Sequence, residues 1–231
     1  MIPMLQGAAS SWPNSSLTQL DTCPFVTGSM RAPEPGHDLA GGSSACDIPL
    51  IVFLDFEASS LAKKSFPIEV AWVFQDGRSR SFLIRPAPDW TDWSTEAQAI
   101  HGISRQLIDS DGIAADLVAQ SMMKELAGHD LYASAPSWDG KWLSVLLRAG
   151  GLPRHALRIG RSRDAFLAAA RDLMAPAADE AALAILVEDV IAAIRSASAP
   201  THRALPDAML DLQCWHLVRK EAARRTGKST T

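Results

Sequence analysis

The sequence predicts an α/β domain built on a mixed five-stranded sheet flanked by helices. Three observations carry this expectation. The run Leu50-Ile51-Val52-Phe53-Leu54 is short, continuous and apolar, as a strand covered on both faces would be. Two further β-rich segments are joined by a tight-turn dipeptide, Asp76-Gly77. From residue 95 onward, apolar periods of helical spacing alternate with short apolar runs, a pattern that puts helices on the faces of a sheet. At 231 residues, 47% hydrophobic and 21% charged, the chain can bury a sizeable core and is unlike a mainly disordered or collagen-like product.

Residues 1–47 are rich in Ser, Pro and Gly (SSWPNSS, RAPEPGHD, GGSS) and show neither a period of 2 nor one of 3.6. Such a segment buries too little to offset its ordering entropy, so a disordered tail is predicted over 1–47. One domain is expected over 48–225, followed by a short flexible terminus over 226–231. Its strands are read at Leu50–Leu54, Pro67–Phe74, Ser81–Arg85, Leu131–Ala135 and Leu157–Ile159. Helices are read at Thr95–Ile103 and at Ile113–Ala127, the latter with Leu117, Val118, Met122 and Leu126 on one face and Gly128 ending it. Trp138–Ala149 closes on Gly150-Gly151, Ala175-Pro176 divides Phe166–Met174 from Glu180–Ile194, and a last helix spans Leu205–Arg225.

Several function classes are disfavoured at this level. No stretch reaches the roughly 18 to 20 apolar residues of a membrane helix, and the first twenty residues lack the pattern of a secretory leader, so no membrane partner and a cytoplasmic location are expected. Three widely spaced cysteines, Cys23, Cys46 and Cys214, form neither a disulfide framework nor a zinc motif. A net charge of −4 provides no global basic field for nucleic acid, although residues 201–231 hold six Lys or Arg against three acids.

The chemistry lies in acids at element ends. Asp55-Phe56-Glu57 follows the buried run, and residues two apart in an extended chain point to the same side. Asp139 starts the helix after the fourth strand; Asp207 lies in the first turn of the last helix, five residues after His202. Singly, each has a bland reading: a strand meeting water, favourable charge at a helix N-terminus, a surface histidine. Together, four acids and an imidazole make the set that a two-cation phosphoryl-transfer site requires.

The motifs VFLDFEASSL, FPIEVAWVF, AIHGIS, SAPSWDGKWLSVLL and HRALPDA, in this order over roughly residues 49–225, resemble the DEDDh 3′-to-5′ exonucleases, a ribonuclease H-like group with proofreading subunits, ribonuclease T and oligoribonuclease. The resemblance implies a ribonuclease H-like fold and release of nucleoside 5′-monophosphates from the 3′ end of single-stranded DNA or RNA. It implies two Mg²⁺ or Mn²⁺ ions: Asp55, Glu57 and Asp207 on one, Asp55 bridging to a second supported by Asp139, and His202 as general base. By the same likeness, the backbone of Phe56 to Ala58 and the Leu61 side chain would contact the terminal nucleotide, while Leu61 could equally be core. His101 reads as a packing residue. Lys63, Lys64, Lys141 and Arg203 could meet phosphates or stay solvated, and Trp72 and Trp142 fit the core. Ala58 stands where Thr is common, Ser60 where Gly is common and Ala135 where many members carry Asn; these departures bear on substrate preference and remove no ligand. Two readings stay open beside this one: an oligoribonuclease-like enzyme on short RNA, and a non-catalytic binding module with the same fold.

Overall fold

A computed structural model describes residues 48–174, 179–198 and 201–227. The predicted tail over 1–47, the Ala175-Pro176 divider and residues 228–231 lie outside the described residues. The elements are β1 (Ile51–Ala58), β2 (Pro67–Phe74), β3 (Ser79–Arg85), α1 (Thr95–His101), α2 (Arg105–Asp111), β4 (Ile113–Ala114), α3 (Ala115–Leu126), β5 (Asp130–Ala133), α4 (Pro136–Ala149), β6 (Ile159–Arg161), α5 (Ser162–Met174), α6 (Glu180–Ala197) and α7 (Ala204–Thr226).

The sheet has six strands where five were expected, in the order β4-β3-β2-β1-β5-β6. β1, β2 and β3 form the antiparallel meander, while β5 and β6 join β1 in parallel. The additional strand, β4, is two residues long and pairs in parallel with Ile84 and Arg85 at the edge of β3. It lay hidden because Ile113 and Ala114 continue the apolar spacing of the helix that follows. Gly112 makes this junction possible: a Cβ there would come within 2.6 Å of the Arg85 backbone nitrogen. The Ile113–Ala127 helix therefore begins at Ala115, and α2 is a further helix that was not expected. Leu117 is 57% exposed and does not join Val118, Met122 and Leu126 in the core.

Other boundaries move by a few residues. β1 continues through Asp55 and Glu57 to Ala58, so those acids are part of the strand and do not follow it. β6 begins where the fifth strand was expected to end, and α5 starts at Ser162, four residues early. α4 starts at Pro136, a position where proline sacrifices no helical hydrogen bond.

Strand parity divides the core in two. Val52, Leu54 and Phe56 join Trp72 under α3 and α4, packing on Met122, Leu143, Leu146 and Leu147. Phe53 and Val73 point the other way, against Phe166, Leu186, Trp215 and Val218 of α5, α6 and α7. Trp72 and Trp142 are buried, as expected. Each fully buried large apolar side chain stabilises the fold by roughly 1.5–3 kcal/mol. The same alternation aims Asp55 and Glu57 at the α7 side, because they share the face of Phe53.

Candidate active site

Three carboxylates meet where β1 passes under the start of α7. One oxygen each of Asp55, Glu57 and Asp207 lies within 4.8 Å of the others. The two strand acids arrive by the period of two, and Asp207 comes from the first turn of α7. Asp139 reaches the same region from the first turn of α4. It is 2% exposed, and its Oδ2 has no hydrogen-bond partner among the described residues.

Ionised acids in such company repel one another and have lost water. Burial raises the Asp55 carboxyl well above its ordinary range, and the charges of Asp139, Glu57, Asp207 and Asp211 add to the rise. Glu57 is pushed up to about 7, first by burial and then by Asp207 and Glu69, against the pull of Arg203. Burial also lifts Asp139 to about 7, opposed by the backbone amide of Ala135. Asp207 is raised by burial while its hydrogen bond from Thr201 and the charge of His202 act the other way. A buried unpartnered oxygen, clustered acids and an all-carboxylate donor set fit hard divalent cations such as Mg²⁺ or Mn²⁺.

His202 is exposed and has φ 47°, the one left-handed backbone among the described non-glycine residues. Its two neighbours are tied down. The Thr201 hydroxyl donates to Asp207 Oδ1 at 3.2 Å. The Arg203 guanidinium donates to both carboxylate oxygens of Glu69, which is 3% exposed on β2 opposite Glu57, at 2.6 to 3.2 Å. Arg203 is the N-cap of α7 but supplies no side-chain cap; Glu69 Oε2 accepts the Ala204 N–H at 3.0 Å in its place. A strand carboxylate thus fixes both the start of α7 and the histidine beside it.

The remaining predicted residues divide. The Phe56 side chain belongs to the core and Ala58 is buried. Leu61 is 68% exposed, so the core reading does not hold for it. His101 is buried at the end of α1, where its Nδ1 accepts the Ile103 N–H. Lys141 is engaged with Ala62 O and Ser65 Oγ, at 2.7 and 2.8 Å, and Arg203 with Glu69, so neither is a free phosphate contact. Ser59 and Ser60 both donate to Asp92, at 2.9 and 2.5 Å, so both hydroxyls are engaged.

Two acids were missed. Glu69 signalled itself as the one charge inside the apolar run PIEVAWVF. Asp211 follows Asp207 by one helical turn and so shares its face. Its carboxylate accepts a hydrogen bond from the Ser162 hydroxyl, and burial lifts it to about 6 despite Ser162 and Arg195. Asp55, Asp207 and Asp211 open on a cavity of about 400 Å³ between the ends of β5 and β6 and helices α5, α6 and α7.

A mixed α/β sheet with carboxylates converging beside its central strand defines the class of this molecule. No protein-family model matches the sequence, and no curated protein sequence matches it. Among solved structures, the fold is that of exonuclease I chains. The zinc-bound E. coli exonuclease I complex with single-stranded DNA superposes at TM-score 0.56 with 15% identity, over 78% of this chain and 42% of that one. The E. coli enzyme in complex with a dT13 oligonucleotide gives 0.56 and 15%, over 78% and 43%. A moderately thermophilic exonuclease I from Methylocaldum szegediense gives 0.56 and 15%, over 75% and 41%. This chain therefore spans less than half the length of these neighbours.

Proposed function

We propose that this chain is a metal-dependent 3′-to-5′ exonuclease acting on single-stranded nucleic-acid ends and releasing nucleoside 5′-monophosphates. The convergence of Asp55, Glu57 and Asp207, with the buried Asp139 beside them, carries this reading. Asp55, Glu57 and Asp207 would hold one divalent cation, and Asp55 with Asp139 a second. Bound there, the cations would neutralise the acids, acidify water and offset charge building on the phosphate and on the leaving 3′ oxygen.

The chain's own groups do the rest. His202, exposed beside the start of α7, takes the proton from the attacking water, the role that an imidazole most often fills as a general base. Glu69, by binding Arg203 and the Ala204 amide, fixes the backbone that carries His202. The backbone at Phe56 and Ala58 and the exposed Leu61 receive the terminal nucleotide. The neighbouring fold is found in complexes with single-stranded DNA, which supports a single-stranded substrate.

The test is release of mononucleotides from a 3′-labelled oligonucleotide. Cleavage is expected with Mg²⁺ or Mn²⁺, absent with chelator, and lost in Asp55→Asn and in His202→Ala with the circular dichroism spectrum intact. Activity that survives both substitutions would overturn the proposal. Matched DNA and RNA oligomers, with a dinucleotide arm, then separate a general exonuclease from an enzyme confined to short RNA.

A further inference from the structure

The cavity beside the acids is lined by arginines and apolar side chains as well as by carboxylates. Asp55, Asp207 and Asp211 all contribute to its lining, and Asp211 accepts the Ser162 hydroxyl. Around it stand three arginines, Arg161 from the end of β6, Arg163 from α5 and Arg195 from α6, and an apolar wall that includes Ile191 and Leu210. Arg163 is committed to Glu188 at 2.6 Å. The Arg161 and Arg195 side chains are exposed, and neither forms a side-chain hydrogen bond or ion pair among the described residues, although the Arg195 charge acts on Asp211. A cavity of about 400 Å³ lies within the usual range of ligand sites, and guanidinium groups together with apolar side chains in one lining suit a phosphate with an attached sugar or base.

The lining of the cavity says which part of a strand it would take. Leu61 belongs to the segment 59–66, which Lys141 and Trp142 of α4 hold by hydrogen bonds to Ala62 and Ser65. The cavity shares Asp55 and Asp207 with the acid cluster, but Phe56, Ala58 and Leu61 take no part in its lining. A strand whose terminal nucleotide lies against those three residues continues past the acids into other space, and the cavity adjoins the same acids.

Resting on the exonuclease reading, we infer that this cavity is the site for the phosphodiester backbone upstream of the scissile bond, with Arg161 and Arg195 as its phosphate ligands. The site sets preference for oligonucleotides over single nucleotide esters, and it adds affinity without entering the chemistry.

Two substrates separate this role from catalysis: a hexanucleotide, and the p-nitrophenyl ester of thymidine 5′-monophosphate, in which nitrophenolate replaces the upstream strand. In the full chain, Arg161→Ala/Arg195→Ala is expected to lower kcat/KM for the hexanucleotide at least ten times more than for the ester, with the Lys/Lys variant recovering much of the loss. Anisotropy of a 5′-fluorescein hexanucleotide in Ca²⁺ provides a readout independent of turnover: Kd should rise about tenfold. Its dependence on log salt should flatten by about 1.4, the value for two lost contacts to a single strand. Equal losses on both substrates, or a hexanucleotide Kd and salt slope that the double substitution does not move, would overturn the assignment. If the native protein cleaves neither substrate, the exonuclease reading fails, and the Kd comparison still decides whether the arginines bind a strand.

Discussion

His202 carries a backbone conformation that L-residues with a Cβ adopt at a cost of order 1–3 kcal/mol, and it does so between two anchored neighbours. Glycine at this position escapes that cost. The unfolding free energy of His202→Gly should therefore exceed that of His202→Ala by about 1 kcal/mol, measured by urea titration; equal values would show that the loop relaxes to another conformation. The anchor has its own signature. Glu69→Gln keeps the shape but removes the charge from a bidentate contact, and charge-assisted bonds of this type are worth about 1.5–3 kcal/mol. A kcat loss of tenfold or more is expected, with KM for the oligonucleotide nearly constant. Arg203→Lys should not substitute for Arg203, since an ammonium cannot span both oxygens. At this scale the sequence was informative where residue type and spacing coincide: the meeting of Asp55, Glu57 and Asp207 was readable, while Asp139 and His202 enter through the motif resemblance. Asp211 was readable in principle from the helical period. Arg161 and Arg195 were not, because only tertiary packing brings residues of β6 and α6 into one cavity with the acids.

Among the elements, those with a long apolar period were legible and the shortest were not. β4 has only two residues and borrows its apolar spacing from α3, so nothing local separates strand from helix at Ile113. What marks the boundary is Gly112, pressed against the backbone of β3. Gly112→Ala should destabilise the domain by about 1–3 kcal/mol through overpacking, seen as a lower urea midpoint at unchanged m-value. Leu117→Gln, on the exposed face of α3, should stay within about 0.5 kcal/mol of the parent. A loss as large as that of Gly112→Ala would mean that this face is covered.

For the molecule as a whole, the acids make folding and metal binding opposing partners of the proton. Glu57 and Asp139 sit at about 7 in the folded state, above their unfolded values, so the native state holds protons that the unfolded chain releases. Their contribution is fully present below the unfolded carboxylate range near 4 and is lost as pH rises through about 7. Calorimetry in chelator should accordingly show the melting temperature falling between pH 5 and pH 8, by an amount equivalent to a few kcal/mol. Mn²⁺ should raise it more at pH 8 than at pH 5.5, because cations replace the missing protons. Asp139→Asn should blunt both responses. A metal-free melting temperature flat over that range would contradict the buried acid cluster.

No helix among the described residues is long and apolar enough to cross a membrane. The bond from the Ala204 amide to Glu69 joins positions 135 apart in the chain. Through it the order of assembly is constrained. The β1–β2 hairpin can form early from local pairings, yet its Glu69 carboxylate stays unpaired until α7 brings Arg203 and the Ala204 amide to it. A nascent chain that halts before residue 204 would own the sheet with Asp55, Glu57 and Asp139 but lack Asp207, so under the proposed function cleavage waits until α7 has been made and docked.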